Sequence, residues 1–200
     1  MIICSIYIKG NFNLKSTPEL KTEHLNISLL NLDDFELLVN YERENNTHLS
    51  QWEPLRSKKY FSLEETRKRV ENNFKNFQQG SAIALVGLNQ MQTKIICQCT
   101  FSNIVYGAFQ ACNLGYSISA NEQGKGLMFE MLQTSIQYVF DEYELHRIMA
   151  NYIPSNIRSE KLLNRLNFQK EGFAKSYLKI AGLWQDHILT SKINPRHNGT

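Results

Sequence analysis

The chain has 200 residues, 42% of them hydrophobic and 20% charged, with a net charge of +3. That length suits one domain with a sizeable core. The charge excess is too small for a basic stripe that would grip nucleic acid, and no run approaches the ~18 apolar residues of a membrane helix. Residues 1–8 are apolar, but they lack the basic start and small-residue cleavage site of a signal peptide. Residues 1–21 are expected to be a loose tail, 22–195 one folded domain, and 196–200 a second tail. Residues 25–30 alternate apolar and polar and predict a strand. Asn31 or Asp33 can cap a helix carrying Phe35, Leu37, Leu38 and Tyr41. Residues 47–53 form a short segment ended by Pro54. Ser62 with Glu65 fits a capping box opening a charged helix with Val70, Phe74 and Phe77 on one face. Phe74, Phe77 and Phe101 are expected in the core. Residues 81–88 and 94–102 read as a hairpin of apolar strands. Cys97 and Cys99 share a face there and cannot easily bridge. With Cys4 and Cys112 they form no metal-ligand pattern, so reduced buried thiols and no metal are expected.

Residues 108–119 predict the strand that enters Gln123-Gly124-Lys125-Gly126. After it, Leu127, Met128, Met131, Leu132, Ile136, Val139 and Phe140 recur at helical spacing. A strand that turns through glycines into a helix leaves backbone N–H groups unpaired at the helix start. With the helix dipole, those donors can hold a phosphate. A plain tight turn uses the same residues, so the pattern alone leaves both open. It is not a nucleotide P-loop, which needs Ser or Thr where Gly126 stands. Residues 147–152 predict a strand, and Pro154 to Asn156 start a short helix with Leu162, Leu163 and Leu166 on one side. Residues 168–178 and 184–193 close the chain around Ala181-Gly182. The order β-α-α-β-β-β-α-β-α-β-β predicts an α/β (α+β) fold, with a mixed sheet of about seven strands and helices on both faces.

That order, with the glycine turn after the fourth strand, resembles the GNAT superfamily of N-acetyltransferases. The superfamily's pyrophosphate motif is Gln/Arg-x-x-Gly-x-Gly/Ala. Gln123 and Gly126 match it and Met128 departs. Asn156-Ile157-Arg158-Ser159 with Leu162-Leu163-x-Arg165-Leu166-x-Phe168 looks like the second acetyl-CoA motif, with Asn167 where Gly is usual. Segments over 25–195 look like the RimJ branch, in which Met at position 128 is usual. They are His48-Leu-Ser-Gln-Trp52-Glu53-Pro54, Ala111 to Ile118, Gln123 to Glu130, His146 to Tyr152, and Trp184-x-Asp186-His187. The resemblance implies a mostly antiparallel GNAT sheet and a cytoplasmic enzyme using acetyl-CoA as co-substrate. It implies the N-terminal alanine of a small-subunit ribosomal protein as acceptor, with ribosome or pre-ribosome association. No membrane partner and no direct nucleic-acid recognition are expected.

The resemblance assigns the pyrophosphate to backbone N–H groups of Gln123, Gly124, Lys125, Gly126, Leu127 and Met128. It assigns the pantetheine to the backbone of Tyr116, Ser117 and Ile118. Asn156 would hold the pantetheine arm or simply cap its helix. Ser159 would contact or protonate the CoA sulfur, or be an ordinary first-turn serine. His48, Trp52 and Glu53 lie where this fold builds its acceptor wall. Glu53 would hold the substrate ammonium or accept its proton, or be a solvated turn residue. Asp186 is expected to line the same cleft. A strand alternates faces, so Asp186 and His187 cannot both point inward. In some relatives a glutamate base falls where Asn151 stands and a tyrosine acid where Leu163 stands, and neither residue can do that work. A strong base is not essential. At pH 7.4 roughly a quarter of α-amines are neutral, against about a thousandth of lysines. Two other functions fit the same residues: a small-amine acetyltransferase acting on polyamine, amino acid or drug, and a ribosome-assembly binding module.

Overall fold

The computed structural model describes residues 16–197. Eight strands make one sheet: β1 (Glu19–Lys21), β2 (Asn26–Leu29), β3 (Ile83–Leu88), β4 (Ile95–Val105), β5 (Ala111–Ile118), β6 (Arg147–Met149), β7 (Gln169–Ile180) and β8 (Leu183–Ile193). Four helices cover it: α1 (Phe35–Leu49), α2 (Leu63–Gln78), α3 (Leu127–Tyr143) and α4 (Ile157–Arg165). The strand order is β1-β2-β3-β4-β5-β6-β8-β7. Every pairing is antiparallel except β5 with β6.

The expected sheet of about seven strands therefore gains one. β1 lies inside the segment expected to be loose and pairs Leu20 with Ile27 of β2. Residues 1–15 of that expected tail, with Cys4, lie outside the described residues. The short segment expected over 47–53 is not separate, because α1 runs through its first residues to Leu49. Residues 150–152 leave the expected strand: Tyr152 makes only an isolated bridge with Ile188.

The helices lie on both faces. On one, α3 buries Met131, Leu132, Ile136 and Val139, joined by Leu163 of α4, against Leu85, Cys97, Cys99 and Phe101. On the other, Leu38, Tyr41 and Val70 of α1 and α2 meet Val86, Leu88 and Ile95. α2 starts as its sequence requires, with Ser62 Oγ accepting the Glu65 N–H at 3.3 Å. Phe77 and Phe101 are core residues, but Phe74 is 38% exposed. It sits at the rim of the α2 face, so helical spacing placed it one step too far inward. Cys97, Cys99 and Cys112 are free, buried thiols. Burial pushes the Cys99 and Cys112 thiols up to about 12.

One departure from regularity positions the site. β5 and β6 pair in parallel only from Ala111–Arg147 to Asn113–Met149. Beyond that point β5 stays with β4, Ile118 opposite Cys97. The other branch turns to β8 through the Tyr152–Ile188 bridge. The two neighbours part into a fork.

Candidate active site

The fork opens into a cavity of about 490 Å³. Leu114, Gly115, Tyr116 and Ser117 form its β5 side, and Asn151, Tyr152, Ile153, Asn156 and Ser159 its other branch. Trp52, Glu53, Arg56, Tyr60 and the Glu42–Arg69 pair close the α1–α2 side, and His187 reaches in from β8.

At the mouth of β5, the glycine turn has the form its sequence requires. Gly124 and Gly126 have φ of +77° and +84°, a region costly for any residue with a Cβ. A Cβ at either would meet nothing within 4 Å, so backbone conformation and not crowding selects glycine. The first turn-closing bond runs from the Glu130 N–H to the Gly126 carbonyl. The N–H groups of Gly124, Lys125, Gly126, Leu127 and Met128 make no hydrogen bond among the described residues. This open row of donors at the start of a 17-residue helix fits a diphosphate. Lys125 is ion-paired to Glu122 at 2.9 Å, and the Met128 side chain is buried in the core. Those two residues, like Leu127, therefore offer the site their backbone.

α1 fixes this turn from one side. Tyr41 Oη lies 2.9 Å from Ser117 Oγ. Asn45 Nδ2 donates to Ser119 Oγ at 3.2 Å, and its Oδ1 accepts the Ala120 N–H at 2.9 Å. Gln123 Nε2 lies 2.7 Å from His48 Nε2. The amide nitrogen donates, so the ring nitrogen accepts. Residues 41, 45 and 48 share one helix face. Sequence reading missed Tyr41 and Asn45 as site supports; the signal was a polar Asn on an otherwise apolar face. It also put His48 in the acceptor wall, whereas the structure puts it beside the glycine turn and outside the cavity lining. The Ser117 hydroxyl is committed to Tyr41 and to Gln98, whose Nε2 donates at 3.1 Å, so Ser117 offers the site only its backbone.

On the other branch, Asn156 Oδ1 accepts the Ser159 N–H at 3.1 Å. Asn156 is thus the cap of α4 and a cavity residue together. The Tyr116 hydroxyl is buried beside the Ser159 hydroxyl, without a hydrogen bond of ordinary geometry among the described residues. Burial pushes it up to about 12, with the Ser159 hydroxyl pulling it back down. Asn151 is bound at both ends of its amide, to Tyr177 Oη at 3.4 Å and the Thr190 N–H at 3.1 Å. Leu163 is core.

The two carboxylates of the acceptor side differ. Glu42 is gripped by both Arg69 terminal nitrogens, at 2.8 and 2.6 Å. Among the described residues Glu53 is ion-paired only with Arg56, whose Nε lies 3.9 Å away. Burial raises the Glu53 carboxyl above its ordinary range, with Arg56 pulling it back. The Glu53 carbonyl accepts the Ala181 N–H at 2.9 Å, which ties this wall to the β7–β8 hairpin tip. Asp186 does not line the cavity. Its Oδ1 accepts the Ser176 N–H at 2.8 Å, inside a β7–β8 bulge. The inward residue of that alternating pair is His187, 3% exposed.

The arrangement can hold a diphosphate at one end, pass an extended arm along the unpaired edge of β5, and meet an amine at the carboxylate end. Among the described residues no cluster of three or more His, Cys, Asp or Glu is placed to hold a metal. No helix of the described residues is long and apolar enough to cross a membrane.

The comparisons with known proteins agree with this geometry. The chain is 45% identical over 178 residues to the [ribosomal protein uS5]-alanine N-acetyltransferase of Escherichia coli (strain K12), covering 88% of this chain and 91% of that one. Its fold superposes on the crystal structure of the ribosomal-protein-S5-alanine acetyltransferase from Vibrio fischeri with a TM-score of 0.87 and 39% identity, over 91% of this chain and all of that one. Mycobacterium smegmatis RimJ in complex with CoA-disulfide gives a TM-score of 0.80 at 22% identity over 88% of this chain and 85% of that one, which shows a shared fold. The model of the Acetyltransferase (GNAT) domain matches residues 24–169, and the chain belongs to that family of acetyltransferases.

Proposed function

We propose that this chain transfers the acetyl group of acetyl-CoA to the N-terminal alanine of a small-subunit ribosomal protein, in the cytoplasm. The observation that carries the acceptor is the 45% identity, over nearly the whole chain, to an enzyme named for that substrate. The geometry supports the donor. The open N–H groups from Gly124 to Met128 suit the pyrophosphate, and the unpaired β5 edge from Gly115 to Ile118 suits a pantetheine arm running as an added strand. Trp52 and Glu53 wall the acceptor end. Glu53, weakly paired, holds the incoming ammonium.

The chemistry then asks for three things of the chain. The amine must approach the thioester carbonyl in a fixed pose, which the walls supply. The developing oxyanion needs a donor, and a β5 backbone N–H at the fork is suitably placed. The departing thiolate needs a proton. Ser159, in the first turn of α4 and facing the cavity, supplies it, with the Tyr116 hydroxyl behind it.

An Ala-starting peptide from the host's ribosomal protein, its N-blocked version carrying a lysine, and a panel of small amines test this with acetyl-CoA and mass spectrometry. Acetylation confined to the free N-terminus is the expected result. Turnover of small amines alone would overturn the acceptor assignment. CoA binding with no turnover of any acceptor would leave a binding module.

A further inference from the structure

We infer that His187 takes the proton from the attacking amine. This rests on the acetyl-transfer function above, and it gives the role of proton acceptor, which the sequence left open at Glu53, to a different residue.

Three observations converge on this ring. First, its tautomer is fixed. His187 Nδ1 lies 3.0 Å from the Gln185 carbonyl oxygen. A carbonyl only accepts, so Nδ1 carries the proton and Nε2 of the neutral ring is an acceptor. Second, that acceptor is open. No protein group bonds Nε2 among the described residues, and the ring lines the cavity although the residue is 3% exposed. The Tyr177 ring packs on it with centroids 5.4 Å apart and holds its plane. Third, the position is right. His187 immediately precedes Ile188, whose backbone exchanges two hydrogen bonds with Tyr152, 2.8 and 3.1 Å, where β5 and β6 part. The ring therefore stands beside the fork, in the cavity that Trp52 and Glu53 also line.

The other candidates in the cavity are committed. Glu42 is held by Arg69, Asn151 is bound at both ends and carries no basic nitrogen, and Tyr152 Oη donates to Glu160 Oε1 at 3.3 Å. Glu53 remains, and its place on the α1–α2 connection suits holding the ammonium before reaction. The step balances as follows. The ammonium held by Glu53 first gives up one proton to solvent water; the neutral amine nitrogen then forms the C–N bond to the acetyl carbon, and its N–H proton passes to His187 Nε2. The C–S bond breaks, the sulfur takes the Ser159 hydroxyl proton, and solvent restores that proton to Ser159. The imidazolium then returns its proton to solvent.

The test compares wild type with His187→Asn. The Asn amide keeps a donor for the Gln185 carbonyl and removes only the Nε2 function, so folding and CoA binding are expected unchanged by thermal melt and calorimetry. With the Ala-starting peptide at saturation, kcat of the variant is expected to fall about 10²-fold, with KM within about twofold. Wild-type kcat is expected to decline more steeply toward acid pH than that of the variant, which keeps only the decline set by protonation of the amine itself. Glu53 and Arg56, the Glu42–Arg69 pair, Tyr116 and Tyr177 face the same space and stay the same in both proteins, so the difference isolates His187. Equal kcat with the same acid decline would overturn the inference. If wild type turns over a small amine and not the peptide, the acceptor assignment fails. The same comparison on that amine still decides His187. A nitrogen-15 imidazole spectrum adds a readout free of any acceptor: the proton is expected on Nδ1, and finding it on Nε2 would overturn the assignment.

Discussion

His48 and Gln123 meet across 75 residues of sequence through a 2.7 Å hydrogen bond between their Nε2 atoms. The last turn of α1 thus holds the first residue of the glycine turn. Trp52 and Glu53 follow His48 within five residues, so the glycine turn and the Trp52–Glu53 side of the cavity share one support. Removing the bond by His48→Ala or Gln123→Ala is expected to raise the CoA Kd about five- to tenfold, since one net hydrogen bond contributes about 1 kcal/mol. The double variant should lose little more than either single one, because both break the same contact. Calorimetric titration with CoA checks the cycle, and full additivity would show that the two residues act separately.

Gly126 offers a sharper test of the turn. Its φ of +84° costs an L-residue about 1–2 kcal/mol, while a Cβ there meets no protein atom within 4 Å. Gly126→Ala should therefore fold, melt a few degrees lower, and bind CoA more weakly. Gly126→Trp adds bulk into the open cradle beneath the unpaired N–H groups and should abolish CoA binding while remaining folded. Melting curves with and without CoA separate these two effects. A tryptophan variant still stabilised by CoA would place the pyrophosphate elsewhere.

Ser159 and Tyr116 come from opposite branches of the fork, and the Tyr116 hydroxyl is buried beside Ser159. If the pair protonates the leaving sulfur, Ser159→Ala should lower kcat about 10²-fold with little change in peptide KM. Tyr116→Phe should lower it by less and add little in the double variant. The Ser159 N–H bond to Asn156 Oδ1 survives in Ser159→Ala. By contrast Asn156→Ala removes a helix cap and should cost about 1 kcal/mol of stability. Steady-state kinetics beside urea unfolding tells chemistry from capping. A Ser159→Ala enzyme with wild-type kcat would assign the serine to packing.

Much of this was legible because local rules and tertiary needs agree. The Ser62 cap, the apolar stripe of α3 and the glycine turn each follow from a short run of residues, and each stands where its spacing puts it. The misses are long-range. Glu19–Lys21 carries only three residues, and it forms a strand because β2 offers an open edge. Asp186 and His187 were equal candidates in an alternating strand. What separates them is the β7–β8 bulge between Ala174 and Leu178, which supplies the Ser176 N–H that occupies Asp186. His48 reads as acceptor wall until α1 runs on to Leu49 and turns it toward Gln123.

Glu53 tests the acceptor wall and carries a pH signature with a definite sign. Burial raises its folded-state pKa, with Arg56 opposing. A raised carboxyl pKa means that the protonated form is favoured in the folded chain, a contribution present below the unfolded pKa and lost as pH rises through the folded one. At neutral pH the ionised side chain is therefore a cost to folding, and Glu53→Gln should melt at the same temperature or higher. Function should move the other way. The carboxylate that holds an ammonium is needed ionised, so wild-type peptide KM should rise as pH falls through the raised pKa. Glu53→Gln should show a peptide KM about tenfold higher at pH 7.5, flat across that range, with CoA binding unchanged. The combination of higher KM with undiminished stability marks a residue kept for its ligand. If the substitution lowered the melting temperature and left KM alone, Glu53 would instead be a structural partner of Arg56.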